Sequence, residues 1–180
     1  MSDSTLVGLC GSLRGESFNR KLMREAARRF DGAFVEGDLR LPLFDQDLQD
    51  RGMPEAVTRL FEQVRAADAV LIACPEYNKA PPGVLKNALD WLSRFKEWPM
   101  EGKPTALVSA TAGRAGGERT QSVLRLMLVP HRAVVLTHPE VLVGQARTHF
   151  DAEGRLVTDS YIEKIDALIA RLQATLSVPA

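Results

Sequence analysis

Two polar loops carry the residues of this chain that could do chemistry. The first is Gly11-Ser12-Leu13-Arg14-Gly15-Glu16-Ser17-Phe18-Asn19-Arg20. Ser12 and Ser17 offer hydroxyls, Asn19 an amide and Arg14 a fixed positive charge. A helix starting near Ser17 would aim its free N–H groups at the same spot, so the loop reads as an anion site. The second loop is Pro75-Glu76-Tyr77-Asn78, followed by Lys79-Ala80-Pro81-Pro82-Gly83. Tyr77 can cover the face of a planar ring. The Asn78 amide and exposed backbone N–H groups can bond the ring's edge. Together the loops suggest one site for a phosphate and a flat ring.

A ring whose face is covered by an aromatic and whose edge is read by amides suits an isoalloxazine. A third loop, residues 109–117, adds the Thr111 hydroxyl and Gly113, where small residues let a backbone approach a ligand closely. Other readings of the first loop stay in view. A serine that merely caps a helix would leave it without a ligand. A Walker A loop needs Gly-Lys-Ser/Thr, and Gly15-Glu16-Ser17 places an acid where the lysine belongs. Glu36 could imitate the ribose-binding acid of a dinucleotide fold, but Gly8, Gly11 and Gly15 do not make the G-x-G-x-x-G spacing.

Metal chemistry finds no support. His131, His138 and His149 are far apart and lack an HExxH pattern, and Cys10 and Cys74 form no CxxC pair. Both cysteines sit in or at the end of apolar runs and read as buried, reduced thiols. A redox role for Cys74 would need a group that lowers its pKa, and none adjoins it in sequence.

Elements that would position these loops alternate along the chain. Residues 5–10, 33–36, 69–74, 105–109 and 133–136 read as five strands. Residues 17–30, 54–67, 82–93, 120–129 and 159–176 read as helices, with Phe18, Leu22, Ala26 and Phe30 at helical spacing in the first. Leu41-Pro42-Leu43-Phe44 and the acidic residues after it read as a loop, and residues 137–158 as an irregular excursion with room for a short hairpin. Strands separated by helices require a parallel sheet with right-handed crossovers and helices on both faces. Unbroken apolar strands agree, since such a sheet is covered on both sides. The fold class is therefore a doubly wound α/β domain spanning residues 1–180. Ligands of such sheets bind outside the carboxyl ends of the strands, where the three loops fall.

Composition narrows the partners. The 23 basic and 23 acidic residues balance, which gives no reason to expect nucleic acid or a membrane. No apolar run nears the roughly 20 residues that cross a bilayer, and Met1-Ser2-Asp3-Ser4 lacks the basic start of a signal peptide, so a cytoplasmic protein is expected.

Gly11-Ser12-Leu13-Arg14 with Ser17-Phe18-Asn19, then Pro75-Glu76-Tyr77-Asn78 with Pro82-Gly83-Val84-Leu85-Lys86-Asn87-Ala88-Leu89-Asp90-Trp91, resembles the NAD(P)H-dependent FMN reductases. That family includes bacterial chromate and quinone reductases. Leu41-Pro42-Leu43-Phe44 and Gly102-Lys103-Pro104 also fit, and the likeness runs from Leu6 to about Asp159. It implies a three-layer flavodoxin-like fold with strand order 2-1-3-4-5. It implies FMN held without a covalent bond, with NADPH or NADH as co-substrate.

Carried over by motif, Ser12, Arg14, Ser17, Phe18 and Asn19 would serve the phosphate side. Pro75, Glu76, Tyr77 and Asn78 would hold the isoalloxazine, and Thr111 and Gly113 would close the third side. In this third loop Ala110-Thr111-Ala112-Gly113 stands where a Ser-rich or Pro-containing version is common. Lys79 also departs from the usual residue. The resemblance further implies ping-pong hydride transfer through flavin N5 to a quinone, chromate, azo or flavin acceptor. No side-chain acid or base is nominated as catalytic. A homodimer or homotetramer is implied, for which residues 82–94 with Phe95 and Trp98 offer an apolar surface. A flavodoxin-type electron carrier and an FMN-binding redox sensor are the competing readings. Carriers of that type are strongly acidic, unlike this neutral chain.

Overall fold

The computed structural model describes residues 3–176. Its strands are the continuous apolar runs of the sequence. β1 (Thr5–Cys10), β3 (Ala69–Ala73) and β4 (Pro104–Ala110) are almost wholly buried, and the edge strand β2 (Ala33–Gly37) is half covered. Between them run α1 (Phe18–Ala27), α2 (Gln46–Asp50), α3 (Glu55–Ala66), α4 (Gly83–Leu92), α5 (Glu118–Leu128) and α6 (Asp159–Leu176). All pairings are parallel, and the order is β2-β1-β3-β4-β5, with β5 at Val134–Val135.

Successive side chains of one strand face opposite ways, so each strand feeds two cores. Leu6 and Cys10 join Leu22, Met23, Ile165 and Leu168 on the α1/α6 side. Val7 and Leu9 join Leu60, Val64, Leu85, Leu89 and Leu124 on the α3/α4/α5 side. Each such side chain stabilises the fold by about 1.5–3 kcal/mol on burial. The result is three layers, helix–sheet–helix.

Polar ties lock the layers. Lys103 donates to the carbonyls of Val64, Arg65 and Ala67 at 2.8, 2.6 and 2.5 Å and so closes the end of α3. The buried carboxylate of Glu25 accepts from Arg29 at 3.1 Å and from Arg155 at 2.8 Å, pinning the segment before α6 to α1. Trp91 is fully buried, donates to the Pro42 carbonyl at 2.8 Å and meets the Phe44 ring edge-on.

Four expectations need correction. Residues 46–50 were expected in a loop but form α2, because the Asp45 carboxylate caps it through the Asp47 N–H at 2.9 Å. The fifth strand is split: β5 pairs with the start of β4, and a further strand, β6 (Val141–Val143), pairs with its end. Val141-Leu142-Val143 was too short a run to stand out within residues 137–158; a single antiparallel bridge, Phe150 to Leu156, is the hairpin-like part of that excursion. α1 ends at Ala27 rather than residue 30, since the N–H groups of Arg29 and Phe30 turn to i−3 carbonyls. Finally, α4 spends Leu85, Ala88, Leu89 and Leu92 on its own core and Trp91 on Pro42, so it presents no broad apolar surface. Four exposed apolar residues lie on and after α5, Val123, Leu126 (72% exposed), Val129 and Val134, while Leu43, Leu13, Tyr77 and Val157 are exposed elsewhere.

Candidate functional site

β1 has β2 on one side and β3 on the other, so the order in which strands are added across the sheet reverses at β1. The crevice beyond their carboxyl ends is where doubly wound folds bind ligands. Loop one leaves β1 there and loop two leaves β3. They touch: the Gly11 N–H donates to the Ala73 carbonyl at 2.9 Å, and a Cβ on Gly11 would lie 3.1 Å from the Pro75 ring. An alanine at Gly11 would press on the Pro75 ring, which would have to shift by a few tenths of an ångström to admit it.

A cavity of about 260 Å³ opens at this point, lined by Ser12, Arg14, Ser17, Phe18, Asn19, Pro75, Glu76, Tyr77, Ala110, Thr111 and Ala112. A larger groove, about 500 Å³, lies along α1 between Arg28 and Phe34. Its Arg24 and Glu36 are paired with each other at 2.9 Å, and none of the three loops reaches it, so the smaller cavity is the candidate site.

Loop one is built to receive an anion. The backbone N–H groups from Ser12 to Asn19 have no acceptor among the described residues. Ser12 and Ser17 are buried, and Ser17, although it precedes α1 in extended conformation, makes no capping bond with its hydroxyl. The capping alternative therefore fails at this residue. Leu13 to Glu16 are exposed, so their N–H groups are open to water or to a ligand. Arg14 makes no ion pair among the described residues and adds a free charge at the rim. Asn19 differs from expectation. It is buried at the wall, but its amide exchanges two bonds with Ala110, donating to the carbonyl at 2.7 Å and accepting from the N–H at 3.0 Å. Its observed role is to tie α1 to the end of β4.

Loop two is a tight two-residue hairpin. Tyr77 and Ala80 exchange both backbone bonds, at 3.0 and 3.1 Å, and Asn78 and Lys79 between them have positive φ. That is the type I′ pattern, which asparagine tolerates at the first position and glycine prefers at the second. The turn leaves Tyr77 half exposed at the cavity edge. Glu76 points back to α5. Gly117, before that helix, is left-handed and offers no side-chain cap, so the Thr120 N–H donates to the Glu76 carboxylate at 3.2 Å instead. The Thr120 hydroxyl donates to the Pro75 carbonyl at 3.2 Å and lies 3.2 Å from the Cys74 sulfur. Loop two is thus fastened to α5 by one acid and one hydroxyl.

Loop three folds on itself: the Thr111 hydroxyl donates to the Gly113 carbonyl at 3.1 Å, and the Ser109 hydroxyl to that of Gly116 at 2.6 Å. Nine of the eleven residues expected at the site line the cavity; Asn78, which forms the turn, and Gly113, whose carbonyl is turned to Thr111 and Gln145, stand outside its wall. Ala110 and Ala112 were missed because small apolar residues carry no chemical signal. Thr120 was missed because it lies 44 residues from Glu76. Both free thiols are buried, and burial pushes Cys74 up to about 12 and raises Cys10 as well. No cluster of His, Cys, Asp or Glu able to hold a metal occurs among the described residues.

A family model for NADPH-dependent FMN reductases matches residues 4–148. The chain belongs to this family. It is 43% identical over 177 residues to an NAD(P)H-dependent FMN reductase of Pseudomonas aeruginosa, covering 95% of this chain and 94% of that one. It is 39% identical over 174 residues to a quinone reductase of Escherichia coli, covering 94% and 92%. Among solved structures it resembles the flavoenzyme NAD(P)H:(acceptor) oxidoreductase FerB of Paracoccus denitrificans, with a TM-score of 0.87, 29% identity and coverage of 96% and 97%. As an FMN reductase the chain is an NAD(P)H-dependent oxidoreductase with FMN as its flavin, on a flavodoxin-like fold. The residues present fit that group. Unpaired N–H donors and buried serines suit its phosphate, and a half-exposed tyrosine beside an open cavity suits its ring. No helix among the described residues is long and apolar enough to cross a membrane.

Proposed function

We propose that this FMN reductase passes reducing equivalents from NADPH or NADH to a small acceptor in a ping-pong cycle, with quinones foremost. Chromate, azo compounds and free flavin are acceptors of the same reach. The observation that carries the reading is the junction of loops one and two over one open cavity at the β1/β3 crevice. The quinone and FMN reductases among its relatives support the acceptor class.

In this proposal Ser12, Arg14, Ser17 and the N–H groups through Asn19 hold the phosphate, with charge-assisted bonds shorter and stronger than neutral ones. Phe18, braced by the Phe150 ring 5.4 Å away, closes the wall. Pro75, Glu76 and Tyr77 frame the ring's edge and Thr111 the third side, while Asn78 shapes the turn of loop two and Gly113 holds the Thr111 hydroxyl. Bound FMN would supply the two-electron chemistry that links the nicotinamide donor to the acceptor. The protein places the reactants, sheds water from the ring's inner face and keeps the outer face open beside Tyr77. No side chain acts as general acid or base in this scheme.

The exposed apolar stripe of α5 and its sequel, Val123, Leu126, Val129 and Val134, is proposed as the contact between two copies of the chain. It continues from the helix whose first turn holds Glu76, so assembly would stiffen the site.

The test is an absorbance spectrum of the purified protein before and after anaerobic NADPH or NADH. Flavin bands that bleach, then return on adding a quinone, are expected. Bands that stay unbleached with both nucleotides would leave an electron carrier or sensor. No bands even after adding FMN would sink the reading of all three loops.

A further inference from the structure

Loop one is held from behind. The Arg20 guanidinium donates to the carbonyls of Arg14 at 3.0 Å and Ser12 at 3.3 Å. Arg40, arriving from the β2–α2 connection, donates to the carbonyl between them, Leu13, at 3.1 Å. Neither arginine lines the cavity; each lies in a separate groove outside it. Three consecutive carbonyls are therefore turned outward onto two guanidinium groups. In a planar trans peptide the C=O of one residue and the N–H of the next point in opposite directions. Turning out the carbonyls of Ser12, Leu13 and Arg14 thus turns in the N–H groups of Leu13, Arg14 and Gly15, and these have no acceptor among the described residues.

The two arginines are themselves anchored. Arg20 is nearly buried, and its Nε lies 2.8 Å from Glu36, though misaligned for a hydrogen bond there. Arg24 shares Glu36 at 2.9 Å, and Asp38 holds Arg40 at 3.2 Å. Acid, arginine and carbonyl make an outer shell whose free charge is largely cancelled. What it leaves the phosphate is orientation of the loop.

We infer that Arg20, seated on Glu36 and seconded by Arg40, is a positioning residue that turns the N–H groups of loop one toward the phosphate of FMN. This rests on the assignment of the cavity to FMN. It deepens that assignment by giving phosphate selectivity to residues that never touch the ligand.

The experiment compares FMN with riboflavin, which lacks the phosphate, by fluorescence titration of the flavin-free protein. Wild type should bind FMN far more tightly than riboflavin. Arg20→Met, which keeps the stem and removes the fork, should lose about tenfold in FMN affinity, the scale of one or two charge-assisted bonds, while riboflavin affinity holds within about twofold. Arg20→Lys keeps the charge but cannot span two carbonyls, so it should recover only part of the loss. Glu36→Gln, a milder change that leaves the arginine in place, should shift the FMN-to-riboflavin ratio in the same direction and guards against a variant that does not fold. Equal losses for both ligands, an unchanged ratio in Arg20→Met and Glu36→Gln, or full recovery by lysine would each overturn the inference. Wild type that binds neither ligand would instead remove the FMN assignment on which it stands.

Discussion

Cys74 and Lys79 show how position overrides residue type. A thiol next to Pro75 of the site invites a redox role, yet burial pushes Cys74 up to about 12, and its sulfur contacts Thr120 and the Pro75 carbonyl rather than solvent. At pH 8 only about one molecule in ten thousand would carry the thiolate, the form that reacts. Native protein should therefore show no thiol that reacts quickly with a chromogenic disulfide, whereas the denatured chain should release both; a fast native thiol would contradict the burial. Lys79 occupies the second place of a type I′ turn with φ 66°, where a β-carbon costs about 1–2 kcal/mol. Lys79→Gly should relieve that strain, offset by about 0.4–1 kcal/mol of extra unfolded-state entropy. The expected net gain is about 0.5–1 kcal/mol in urea denaturation, and a loss would show that the lysine side chain has a stabilising partner.

At the scale of elements, one side chain joins a loop to a helix that sequence keeps apart. Glu76 supplies from loop two the cap that α5 lacks at Gly117. A carboxylate at a helix N-terminus also meets the positive end of the helix dipole. Glu76→Ala should cost about 1–2 kcal/mol of stability, the usual scale of a lost cap, and Glu76→Gln should restore much of it because an amide oxygen still accepts. Equal losses in the two variants by thermal denaturation would mean that the carboxylate's charge, not its bond to Thr120, is what counts. α2 offers the opposite lesson: Asp45 caps it locally, a signal present in the sequence but hidden by the shortness of the helix.

For the whole molecule, His131 and the α5 stripe make global predictions. His131 is buried against Trp98, and desolvation lowers its pKa below the ordinary 6.5; Asp90 pulls it up and Lys86 down by smaller amounts. The folded state therefore favours neutral imidazole. Above about pH 6.5 both states are neutral and this contribution is complete. As pH falls below that value the unfolded chain binds the proton first, and stability declines until the folded pKa is passed. Urea midpoints at pH 7.5 and 5.5 should differ less in His131→Gln than in wild type; equal differences would clear His131. Leu126→Asp, at an exposed position of the proposed contact between copies, should shift sedimentation toward a single chain without unfolding it. Wild type that already sediments as a single chain would remove that contact.

Sequence alone determined the layers and their order of appearance. Buried strands such as Ala69–Ala73 must be apolar throughout, and a helix such as α6 must repeat its apolar residues every three or four positions, so both leave local marks. The motif residues of loops one and two were legible for the same reason: their types and spacing are local. Only the tertiary structure decided what those residues do for one another. It split the last strand into Val134–Val135 and Val141–Val143, because β4 accepts pairing at both ends of one edge. It gave Asn19 to Ala110, Glu76 to Thr120, and the carbonyls of loop one to Arg20 and Arg40. Most of these contacts join residues dozens of positions apart, and no local pattern encodes a hydrogen bond whose two ends meet only when the sheet has formed.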